Sequence, residues 1–127
     1  MIKGIGTDII EVERVAQKIQ KEQGFRELVF SVAEINYCEA KTNKFEHYAA
    51  RFAAKEALGK ALGLGWAEGT TINEVEILNR QNGQPYIHFL GETAAKIAAL
   101  NTGNIYVSLS HIKTFATAIV IIEQQHA

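Results

Sequence analysis

Two stretches of this chain carry residues that could do chemistry together. One runs from Arg51 to Gly63, Arg-Phe-Ala-Ala-Lys-Glu-Ala-Leu-Gly-Lys-Ala-Leu-Gly, and holds four charged side chains: Arg51, Lys55, Glu56 and Lys60. The other is the start of the chain, where Asp8 stands directly before Ile9 and Ile10. A carboxylate in apolar surroundings is expensive unless it is paired, hydrogen-bonded or bound to a cation. Asp8 therefore reads in two ways, as a cation ligand or as the cap of a helix that follows, with Glu11 completing a capping box. Glu56 and Lys60 are four apart and share a helix face with Phe52, one turn earlier. The plain reading of that pair is a surface bridge worth about 0.3–0.5 kcal/mol. What would raise these charges above that reading is the rest of the chain.

The elements that must position these groups are legible from periodicity. Alanines at 53, 54, 57 and 61 favour helix and leave a thin side for another backbone or a ligand, so residues 44–62 form a long helix that stops at Gly63, with Gly65 close behind. Residues 2–7 read as a strand whose Gly4 and Gly6 permit close approach. Val12, Val15, Ala16 and Ile19 mark an amphipathic helix over residues 11–22, with Arg14, Lys18 and Lys21 as a basic stripe. Gly24 breaks it, and Phe25, Leu28, Val29 and Phe30 form an apolar cluster. Ser31 and Glu34 are a capping box opening a short helix to about Ala40. After Trp66, the spacing of Ile72, Val75 and Ile77 predicts a strand with Glu74 and Glu76 facing water. Asn82 and Gly83, with Pro85 close by, turn it into a second strand over Tyr86–Leu90. A short helix over 92–100 precedes two closing strands, 105–110 and 115–123, the last apolar enough to be central in its sheet. The layout is α+β with a mostly antiparallel sheet packed against the long helix.

At 127 residues the chain reads as one domain, residues 1–127, able to bury a core without staples. A net charge of −1 excludes a general nucleic-acid binder, which needs a basic surface. The lone Cys38 forms no internal disulfide, and no apolar run approaches the roughly 20 residues that span a bilayer, so a cytoplasmic location is expected. No Ser-His-Asp arrangement stands out.

In their order and spacing, Gly-Ile-Gly-Thr-Asp8-Ile-Ile-Glu-Val-Glu-Arg14, the Arg51–Gly63 run, Asn82-Gly-Gln-Pro85-Tyr and Ser108-Leu-Ser-His111 resemble the holo-[acyl-carrier-protein] synthase family of 4′-phosphopantetheinyl transferases. The resemblance spans essentially the whole chain. It implies the 4′-phosphopantetheinyl transferase fold and transfer of the phosphopantetheine arm of coenzyme A to a serine of apo acyl carrier protein, for fatty acid biosynthesis. It further implies Mg2+ held by Asp8 and Glu56, with Lys60 completing the catalytic set. Arg51, Lys60, Gly63, Asn82, Gly83, Pro85 and His111 are the implied coenzyme A contacts. Arg14, Lys18, Lys21 and Phe25 are the implied carrier-protein contacts. A homotrimer with active sites between subunits follows from the same resemblance, His111 reaching a phosphate across the interface. Gly59 departs from the pattern, since several relatives carry Ser there. Two other readings remain at this stage: a binding module that holds a nucleotide or carrier without turnover, and a magnesium-dependent phosphate-transfer enzyme without a carrier substrate.

Overall fold

The computed structural model describes residues 1–63 and 71–125. Gly65 and Trp66, used above to place the end of the long helix, lie outside the described residues. In chain order the elements are β1 (Ile2–Glu11), α1 (Val12–Gln20), α2 (Phe25–Val29), α3 (Val32–Glu39), α4 (Lys44–Leu62), β2 (Val75–Asn79), β3 (Pro85–Phe89), α5 (Gly91–Ala99), β4 (Thr102–His111) and β5 (Phe115–Gln124). The arrangement is α+β, as the periodicity implies.

The strands make two sheets. One has the order β1-β5-β4, and the other is the β2-β3 hairpin. All pairings are antiparallel. The near-continuous apolar run of β5 does sit at the centre of its sheet. Its register sets two faces: Ala116, Ala118, Val120 and Ile122 are buried, while Phe115 and Ile119 are exposed.

Helix α4 packs on the buried face, and the contact is backbone to backbone. A methyl group on Gly6 would overlap the carbonyl oxygen of Ala57, and one on Gly4 would overlap that of Ala61. The two glycines and the alanine side of the helix are thus two halves of one close contact, which fills the layer between helix and sheet without large side chains. Gly63, at φ 74°, ends α4 in the left-handed conformation that glycine adopts without strain.

Three expectations need correcting. Asp8 does not cap α1: β1 continues to Glu11, which pairs with Phe115, so Asp8 lies within the strand opposite Ala118. The pairing partners that extend β1 lie more than a hundred residues away and outweigh the local capping pattern. Residues 25–29, read as an apolar cluster only, form the short helix α2. Glu76 does not face water. It is 7% exposed and accepts from His88 Nδ1 at 3.0 Å, its direct cross-strand neighbour. Glu74 is half-buried and accepts from the Thr93 hydroxyl at 2.8 Å.

Candidate active site

Asp8, Glu56 and Lys60 are brought together as strand β1 passes under α4. The pairing within the group differs from the one that sequence spacing suggests. Lys60 Nζ donates to Asp8 Oδ1 at 3.1 Å and to the Thr7 carbonyl at 3.0 Å, rather than bridging to Glu56. The Asp8 side chain is 17% exposed, whereas Lys60 is 57% exposed, so the ammonium holds a shielded carboxylate from the solvent side.

Glu56 has no hydrogen bond or ion pair among the described residues. Burial pushes its carboxyl above the usual range, and the nearby Asp8 charge adds to that, while Lys60 and Lys18 oppose it. A carboxylate raised by burial and by a second carboxylate, with a lysine beside them, is the kind of perturbed group that clusters at functional sites. Among the described residues no three His, Cys, Asp or Glu side chains converge on one point. Two carboxylates do suit a hard divalent ion that keeps water or phosphate oxygens for its remaining positions.

A cleft of about 250 Å³ opens beside this group, lined by Asp8, Glu56, Phe52, Arg14, Lys18 and Phe25 among others. Phe52 shares the Glu56 face, as its spacing implies. Lys18 lies over the Phe25 ring, 5.4 Å from its centroid, so α1 contributes charge and the start of α2 an aromatic wall. Arg14 is exposed on α1 at the cleft, and Lys21 is exposed just past the end of α1, outside the cleft lining.

The expected nucleotide contacts do not gather at one place: Lys60 and Gly63 lie at the C-terminal end of α4, while His111 lies toward its N-terminal end. His111, at the end of β4, faces Glu46, with Nδ1 2.9 Å from Glu46 Oε1. Glu46 and Glu56 are ten residues apart on one helix, about 15 Å along its axis. Arg51 is almost fully buried at 2% exposure, with its guanidinium 4.2 Å from the Tyr37 ring centroid and Nη2 donating to Asn79 Oδ1 at 2.6 Å. In this chain it stands behind the hairpin, not in an open pocket. Asn79 Nδ2 in turn donates to the Gly83 carbonyl at 2.9 Å, and Asn82 Oδ1 accepts from the Gln84 N–H at 3.0 Å, which fixes the turn that presents Asn82, Gly83 and Pro85. Gly63 closes α4 beyond Lys60. Glu46, His47, Tyr37 and Asn79 were not singled out from sequence. The signal available was His47, four residues before Arg51 and so on the same helix face.

Lys55 has no part in the cleft. Its ammonium is fully buried, 2.6 Å from Glu34 Oε1, and donates also to the carbonyls of Val29 at 2.7 Å and Ile72 at 3.2 Å. Glu34 accepts further from the Ser31 and Ile77 N–H groups. This ion pair ties α2, α3 and β2 to α4, with every polar atom used.

The chain matches the 4′-phosphopantetheinyl transferase superfamily over residues 4–120. It is 48% identical to a holo-[acyl-carrier-protein] synthase of Cytophaga hutchinsonii over 124 residues, 95% of this chain and 97% of that protein. Among solved structures, the holo-[acyl-carrier-protein] synthase of Neisseria meningitidis superposes with a TM-score of 0.90 at 26% identity, covering 98% of this chain and 100% of that one. That of Bacillus anthracis, solved in complex with CoA (3′,5′-ADP), gives 0.81 at 32% identity, covering 98% and 99%. The match to the superfamily over residues 4–120, the 48% identity to a holo-[acyl-carrier-protein] synthase and a fold shared along nearly the whole chain place this protein in the 4′-phosphopantetheinyl transferase superfamily, among the holo-[acyl-carrier-protein] synthases.

Proposed function

We propose that this chain transfers the 4′-phosphopantetheine group of coenzyme A to a serine of apo acyl carrier protein, releasing adenosine 3′,5′-bisphosphate. The observation that carries the reading is the meeting of Asp8, Glu56 and Lys60 at the edge of a cleft walled by Arg14, Lys18 and Phe25. The serine oxygen forms a bond to the phosphorus bearing pantetheine, the bond from that phosphorus to the bisphosphate oxygen breaks, and the serine proton passes to a base. Asp8 and Glu56 would hold Mg2+, which when bound supplies charge neutralisation on the pyrophosphate oxygens. Lys60 exchanges its bond to Asp8 for the phosphate that leaves, stabilising charge as it develops. Arg14, Lys18 and Lys21 present a basic face to the acidic carrier, with Phe25 as an apolar contact among them.

The enzyme acts as a homotrimer with sites between subunits. Two features support this: His111 faces Glu46, about 15 Å along α4 from Glu56, and the outer face of the three-stranded sheet carries exposed apolar side chains. Ile5, Ile9 and Tyr106 are each at least half exposed there. A cytoplasmic location accords with the buried free thiol of Cys38.

The test is incubation with coenzyme A, magnesium and apo carrier protein, read by intact-mass spectrometry of the carrier. The carrier gains one phosphopantetheinyl group, and a carrier whose acceptor serine is alanine does not. No mass gain on a competent carrier overturns the proposal.

A further inference from the structure

Along the face of β1 that meets α4, Gly4 and Gly6 lie directly against the carbonyls of Ala61 and Ala57, and Asp8 is the next residue of that row. Strand and helix are thus fixed to each other just where the first carboxylate emerges. Asp8 has a short side chain on this fixed backbone, and it is 17% exposed. Lys60 has a long one, 57% exposed, whose Nζ donates to Asp8 Oδ1 at 3.1 Å and to the Thr7 carbonyl at 3.0 Å. Of the two partners it is therefore Lys60 that can leave. An ammonium and a divalent cation drawn onto one shielded carboxylate repel each other, with little water to screen them. The Thr7 carbonyl gives the ammonium a second hold, so a cation that displaces it must break two hydrogen bonds.

We infer that Lys60 holds Asp8 closed to a divalent cation until a phosphate group draws the ammonium away, so that cation and nucleotide bind in a coupled way. The inference rests on the reading of Asp8 and Glu56 as the cation ligands. Without nucleotide, Lys60 competes for one ligand of the pair. Once it moves to a phosphate, both carboxylates are open to the cation. Linkage makes the effect reciprocal: whatever the nucleotide does for cation affinity through Lys60, the cation does for nucleotide affinity. Lys18 provides an internal comparison. It lines the same cleft and its charge also reaches Glu56, but it lies over the Phe25 ring and makes no hydrogen bond to Asp8 or Glu56 among the described residues.

The experiment is a titration with Mn2+, an ion that takes the same oxygen ligands, followed by the electron paramagnetic resonance signal of the free ion, on folded parent, Lys60→Met and Lys18→Met proteins. Without nucleotide, Lys60→Met binds Mn2+ about tenfold more tightly than the parent, and Lys18→Met stays within about threefold of it. With saturating coenzyme A, the gap between Lys60→Met and the parent closes to within about threefold. Lys60→Gln takes the place of the methionine variant if that one does not fold. No gain in Lys60→Met, an equal gain in Lys18→Met, or a gap that persists in the coenzyme A complex overturns the inference. Glu56→Gln separates this from failure of the underlying reading. If that variant leaves Mn2+ binding to the coenzyme A complex unchanged, the reading of the carboxylates as ligands fails. Weaker binding there, together with no gain in Lys60→Met, tells against the role of Lys60 alone.

Discussion

At the scale of the single residue, Glu56 is held in its charged form at a cost to stability. Its carboxyl is pushed up by burial and by Asp8, so the folded state keeps the proton at pH values where the unfolded chain has released it. Stability is therefore fully present below the ordinary glutamate range and falls as pH rises through the raised value, after which the cost remains. Glu56→Gln removes that cost. In chelator, urea unfolding of the variant and parent at about pH 4 and about pH 7.5 should give similar stabilities at the lower pH and a more stable variant at the higher. A variant that is less stable at both would contradict the account. The same residue scale shows what sequence spacing could and could not reveal. Glu56 and Lys60 are correctly placed on one side of a helix by their interval of four. Their bond is not, because the partner that Lys60 takes, Asp8, is 52 residues away in sequence. Gly4 and Gly6 are a case where residue type alone spoke clearly, since close approach is the main use of glycine in a strand interior.

At the scale of elements, α4 serves two unrelated purposes on different faces. One face carries Glu56 to the cleft and Lys60 to Asp8 beside it, while another drives Lys55 into the interior to meet Glu34. From sequence Lys55 looks like one more charge in a charged run, and Glu34 like half of a capping box. The capping box is indeed present, and the same carboxylate also closes the ion pair, a double use that depends on packing and leaves no local trace. Removing one partner strands the other charge in the interior. Glu34→Ala should cost about 3–5 kcal/mol in chemical denaturation. Pairing it with Lys55→Met should recover part of the loss, since no charge is then left buried. A loss below 1 kcal/mol in the single variant would mean that water reaches Lys55. The end of β1 makes the same point for backbone. The capping pattern from Asp8 to Glu11 is plausible locally, but it yields to nine paired positions against β5 that only the folded sheet provides.

At the scale of the whole molecule, the outer face of the three-stranded sheet carries exposed apolar side chains, uncovered among the described residues. Ile5 and Ile9 on β1, Tyr106 on β4, and Phe115 and Ile119 on β5 together form an apolar surface of the kind that marks association. The alternation along β1 and β4 is readable in the sequence, but which face α4 covers is decided by Gly4 and Gly6 and becomes plain only in three dimensions. If this surface holds the trimer, Ile9→Asp should convert three chains to one by light scattering while preserving the circular dichroism of the fold. An Ile9→Asp protein that stays trimeric would move the interface elsewhere.

The claim on which the rest depends is that Asp8, Glu56 and Lys60 form the catalytic centre for phosphopantetheine transfer. The most direct measurement is the rate of carrier mass gain by the parent protein and by Glu56→Gln, at saturating coenzyme A and magnesium, with folding of both verified. The parent should load the carrier. The variant should be as folded as the parent yet slower by roughly two orders of magnitude or more, as expected when transition-state charge stabilisation is removed. Turnover by Glu56→Gln near the parent rate would contradict the account.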